Sequence, residues 1–183
     1  MNRSTLIARA TGSAATVFAV SFLALSAPAY AASGSGGGGS SDEVTCREGL
    51  VYDKAKQMCV REEAANDADL YATGRAVALA GDYERALRLL HSVEDKNDAM
   101  VLTMIGYSTR KMGRVEEGIE YYHQALAIEP DNVFTREYLG EGYVSQGRYD
   151  LAEVQLAKIE QICGRDCEQY QDLSAAIAGD PDW

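Results

Sequence analysis

The chain has 183 residues, with 28 acidic against 17 basic side chains and a formal net charge of −11. Its length suits one ordinary domain plus accessories, and 46% hydrophobic with 25% charged residues excludes both wholesale disorder and a polytopic membrane protein. The acid excess argues against a nucleic-acid partner, because phosphates reward clustered lysine and arginine.

Residues 1–31 read as a secretory signal peptide. They combine a basic start (Arg3, Arg9), an apolar stretch from Val17 to Ala27 and the small-residue end Ala29-Tyr30-Ala31. The apolar stretch is well short of the ~20 residues that a membrane span needs, so no span is expected after cleavage. Without this segment 15 basic residues face 28 acidic ones, a net −13. Export is therefore expected, to the periplasm of a Gram-negative host or otherwise to the cell exterior. Residues 32–45 follow as a Gly/Ser-rich linker, Ser33 to Ser41, that buries nothing.

Four cysteines in an exported chain predict two disulfides, and sequence proximity favours Cys46–Cys59 and Cys163–Cys167. Residues 46–60 read as a disulfide-closed hairpin, with a β-prone triplet Leu50-Val51-Tyr52, a polar turn at Asp53 to Lys56 and a second strand ending at Cys59-Val60. The second pair brackets Gly164, which should end a helix. Asp166 with Gln169 looks like an N-cap and its partner, placing Cys167 in the first turn of a new helix. A thiol there has its thiolate favoured. A thiol-disulfide or soft-metal carrier acting through Cys163 and Cys167 is thus an alternative function.

Between the cysteine pairs the chain repeats. Gly74, Gly106 and Gly140 are 32 and 34 residues apart, and the same intervals separate Gly81, Gly113 and Gly147, as well as Ala86, Gly118 and Ala152. In each unit a helical pattern runs to the second glycine, breaks, and restarts two residues later at Tyr83, Val115 and Tyr149. Each unit is a helix, a tight turn and a second helix.

These columns resemble the tetratricopeptide repeat. Residues 99–132 carry Leu102, Ile105-Gly106, Tyr122, Ala125 and Pro130; residues 133–166 carry Leu139-Gly140, Tyr143, Ala152 and Leu156; residues 67–98 carry Leu70, Gly74, Ala86 and Leu90. Thr73, Thr109 and Gly118 depart from the pattern at leucine, tyrosine and alanine positions. The resemblance implies an all-α, right-handed superhelical stack of three units, closed by a capping helix over residues 167–178 and preceded by the hairpin. It implies a protein-interaction scaffold whose concave face is lined by the first helix of each unit. The positions expected there are Tyr71, Arg75, Met100, Thr103, Tyr107, Arg110, Lys111, Phe134, Glu137 and Glu141, a mixture suited to a peptide or partner helix. The lysine and asparagine clamp that reads chain termini in related co-chaperones is not visible, because no asparagine falls in these helices.

Nothing points to catalysis, a cofactor or a metal. His91 and His123 fall one whole repeat apart at equivalent outward positions, too far to share an ion, and no phosphate-binding or nucleophile-elbow motif occurs.

Overall fold

The computed structural model describes residues 44–180. The signal segment, nearly all of the Gly/Ser linker and the Trp183 end lie outside these residues. Described are a two-stranded hairpin, β1 (Leu50–Asp53) and β2 (Met58–Arg61), and seven α-helices: α1 (Asp67–Leu79), α2 (Tyr83–Ser92), α3 (Ala99–Lys111), α4 (Val115–Ile128), α5 (Val133–Ser145), α6 (Tyr149–Cys163) and α7 (Glu168–Ala178). The helices pack as three antiparallel pairs, α1 with α2, α3 with α4 and α5 with α6. Successive pairs are joined through α2–α3 and α4–α5, and α7 lies on α5 and α6.

The sequence dictates where each pair breaks. At the end of the first helix, Gly81, Gly113 and Gly147 adopt φ of +90°, +86° and +72°, a region other residues enter only under strain. Two backbone bonds close each turn: Gly81 N–H donates to Ala78 O and Asp82 N–H to Val77 O, and the same pair recurs at Gly113 and Gly147. The first helices start on side-chain caps. Asn66 accepts from Asp69 N–H, Asp98 from Met100 and Val101 N–H, and Asn132 from Thr135 N–H.

Within the pairs, the missing side chains at the glycines allow close contact. A Cβ on Gly106 would sit 2.7 Å from the Tyr122 ring and 2.9 Å from Gly118 O, and one on Gly118 would sit 2.7 Å from Gly106 O. Gly118, a departure from the repeat pattern, is thus the partner that lets α3 and α4 touch backbone to backbone while Tyr122 fills the remaining space. Gly140 serves a different neighbour: a Cβ there would strike the Leu173 side chain of α7 at 2.5 Å.

The hairpin is paired antiparallel, with Val51 opposite Val60 and Tyr52 opposite Cys59, and it is closed by the Cys46–Cys59 disulfide, whose Cα atoms are 5.9 Å apart. Val51 enters the same apolar cluster as Leu70, Leu89, Leu90 and Met104, which fastens the hairpin to the first repeat. Arg85 of α2 is buried and donates through Nη2 to Arg47 O and Leu50 O at 3.2 and 3.0 Å. The polar turn starts later than expected, because Asp53 belongs to β1, buried with its carboxylate accepting from Lys56 N–H at 2.8 Å.

The second disulfide, Cys163–Cys167 with Cα atoms 6.0 Å apart, spans the break between α6 and α7. Gly164 ends α6 with φ +84°, but Cys167 itself, not Asp166, occupies the N-cap of α7 and makes no side-chain capping bond. Gln169, expected as the capping partner of Asp166, is instead buried on α7, as are Leu173 and Ala176.

Candidate functional site

The first helices α1, α3 and α5 lie next to one another, and α7 continues the series beyond α5. Two tyrosines on these helices, Tyr107 and Tyr138, join a cluster with Tyr83 of α2 and the buried Tyr122 of α4. Tyr107 of α3 meets the Tyr138 ring of α5 at 5.1 Å between centroids and the Tyr83 ring at 6.2 Å, edge to face; Tyr138 in turn lies 6.4 Å from Tyr122. Tyr107 and Tyr138 are half-buried, so each keeps a surface for a ligand. The Lys111 ammonium stands 5.6 Å from the centre of the Tyr107 ring, within cation–π range.

Of the ten positions expected on this face, Arg75, Lys111 and Phe134 are exposed and Tyr71, Met100 and Tyr107 are half-buried. The other four are buried, because the neighbouring repeat packs closer than a one-helix register implies. The Thr103 hydroxyl donates to Ala99 O and is 2.7 Å from the Thr135 hydroxyl, joining α3 to α5 out of a ligand's reach. Arg110 donates through Nη2 to Glu141 and through Nε to the Tyr122 hydroxyl at 3.4 Å. Burial lifts the Glu141 carboxyl above the usual carboxylate range, and the Arg110 guanidinium pulls against that.

Glu137 is the odd member. It is 6% exposed and has no hydrogen bond or ion pair among the described residues. Its carboxyl is pushed up from 4.5 to about 8, first by burial and then by the nearby charges of Glu141, Asp172 and Glu168, with Arg110 opposing. Burial and the same two α5 carboxylates hold the Tyr138 hydroxyl at about 12.

Sequence reasoning missed Tyr138, Glu168 and Asp172. Tyr138 lies outside the expected register and joins the face because its ring meets Tyr107 of the neighbouring repeat, while half-buried Asp172 and exposed Glu168 come near Glu137 through the packing of α7 on α5. His91 and His123 are exposed as expected, and His123 Nε2 lies 3.1 Å from the Tyr143 hydroxyl of the next repeat. All four cysteine sulfurs are joined in disulfides. Among the described residues no group of three histidine, cysteine or acidic side chains converges as a metal site, and no helix is long and apolar enough to cross a membrane.

The tetratricopeptide-repeat family model matches residues 110–177. A solved structure of AMB-1 MamA is 31% identical, with the match covering 62% of this chain and 68% of that one at a TM-score of 0.50. The chain belongs to the tetratricopeptide-repeat family. A second MamA crystal structure matches at 22% identity over 62% of this chain and 68% of that one, TM-score 0.53. The Yersinia enterocolitica type III secretion translocator chaperone SycD shares the fold at 18% identity, over 62% of this chain and 86% of that one, TM-score 0.53. No curated protein matches the sequence. The tetratricopeptide-repeat architecture supports a protein-interaction scaffold.

Proposed function

We propose that the chain is a non-enzymatic interaction scaffold that binds an extended peptide or a partner helix along the face formed by α1, α3 and α5, and that it works outside the cytoplasm, in the periplasm of a Gram-negative host. The observation that carries this reading is the half-buried pair Tyr107–Tyr138, flanked by the exposed Lys111 and Phe134. Rigid aromatic surface with a charged rim is what interface hot spots are made of, since tyrosine contributes large area at little entropy cost. SycD, a translocator chaperone by name, supports a protein client as ligand. The basic start, short apolar stretch and Ala29-Tyr30-Ala31 end support export.

A photo-crosslinking p-benzoylphenylalanine placed at Lys111 or at Phe134 tests the face, with the same group at Glu153 on exposed α6 as control. Adducts to one protein from the first two positions and none from the third are expected. Adducts from the control alone would remove the assignment. A mature chain beginning at Ala32, recovered from the periplasmic fraction and weighed by mass spectrometry, tests the location.

A further inference from the structure

We infer that the α5–α7 end of this face is a pocket for a lysine or arginine side chain of a basic partner segment, with Glu137 as its counter-charge. The inference rests on the peptide-binding reading above and adds the chemistry that the partner must carry.

Three acidic side chains, Glu141 of α5 and Glu168 and Asp172 of α7, lie within electrostatic reach of Glu137, and Asp172 also of Glu141. Of the two α3 cations near them, Arg110 is already committed to Glu141 and Tyr122, and Lys111 is exposed and acts on Glu141, not on Glu137. That leaves Glu137, more than nine-tenths buried yet without any partner. The described side-chain atoms that are both sealed and unbonded are Arg85 Nε and Arg136 Nε, so the Glu137 carboxyl, though recessed, still opens to solvent. A recessed carboxyl with no partner in its own chain has only water to satisfy it, and an incoming cation can take the place of that water.

The complement is a cation. Neutral donors would satisfy the lone pairs of Glu137 but leave the repulsion from its three acidic neighbours untouched, whereas an ammonium or guanidinium relieves both. Tyr138, half-buried and within electrostatic reach of Glu137, supplies aromatic surface for the aliphatic stem. The rest of the face selects against a cation elsewhere, since Arg75 and Lys111 carry positive charge on α1 and α3. The acidic chain as a whole steers basic segments toward itself. On binding, the Glu137 proton leaves to solvent and the carboxylate pairs with the incoming cation.

Twelve-residue random peptides displayed on phage and selected on the mature chain provide the probe. The expected set carries a lysine or arginine at one fixed position. A fluorescein-labelled peptide from that set, and its version with norleucine at the fixed position, are then titrated against wild type and Glu137→Gln, with circular dichroism confirming that both proteins are folded. Wild type should lose at least about tenfold in affinity with norleucine, and Glu137→Gln should bind both peptides alike. Binding of the lysine peptide to wild type should tighten from pH 6 to pH 9 and stay flat for Glu137→Gln. Selected peptides with no basic position, or the same lysine-to-norleucine ratio in both proteins, would overturn the pocket while leaving the peptide-binding face intact. If no selected peptide binds the face, the reading of the face fails and the pocket falls with it.

Discussion

Arg110 on α3 donates to Glu141 on α5 with only 6% and 9% of the two side chains exposed, so the boundary between the second and third repeats is held by a nearly dry ion pair. Removing one partner leaves the other charge buried and unpaired. Arg110→Met is expected to lower stability by about 3–5 kcal/mol, whereas Arg110→Met together with Glu141→Leu should fall far short of the summed single losses. Urea midpoints of the three variants check this. It follows that Arg110→Ala is no clean probe of ligand binding, although the residue falls in the ligand-facing register.

Gly106→Ala should destabilise by about 1–3 kcal/mol, because the new methyl would overlap the Tyr122 ring and Gly118 O. Helix propensity alone predicts the opposite, a gain of roughly 1 kcal/mol. The sign of the change in a urea melt decides between them.

The glycine columns located the helix breaks because a positive φ has few other occupants, and a chain that repeats its turn repeats its glycine. Apolar and aromatic spacing likewise shows which face of each helix is which. It does not show how closely the next repeat approaches, and that distance separates Lys111, exposed, from Arg110, buried one residue earlier. The same limit hid Arg85: a basic residue in an amphipathic helix reads as surface, and only the hairpin docked on it, offering Arg47 O and Leu50 O, turns it inward. Asp166 has the residue type of a cap, but Cys167, tied to Cys163 by the disulfide, takes that place.

Glu137 predicts a pH effect on stability. Its carboxyl titrates near 4.5 in a free chain and at about 8 when folded. Between these values the native state holds more protons than the unfolded state, so stability falls as pH rises, by up to about 1.4 kcal/mol per pH unit from this group. The loss is complete above about pH 8. The difference between wild type and Glu137→Gln, measured by urea midpoints from pH 4.5 to pH 8.5, should therefore grow in favour of the variant. Parallel curves would contradict it.

The Cys163–Cys167 bridge closes a short loop and should contribute about 2 kcal/mol in the chain-entropy model. Cys163→Ser with Cys167→Ser is expected to speed hydrogen exchange of the α7 amides, residues 168–178, while leaving those of α3 and α4 unchanged. An unchanged α7, or thiols that turn over with a small disulfide substrate in the native chain, would favour the carrier function instead.

The central claim is that the face formed by α1, α3 and α5 is the ligand surface, and backbone amide shifts measured by NMR during titration with a phage-selected peptide test it most directly. The perturbed amides are expected to cluster around Tyr71, Tyr107, Lys111 and Tyr138 and to extend to Glu168 on α7. Perturbations confined to the outer helices α2, α4 and α6, for example around exposed Val154 and Ile162, would contradict it.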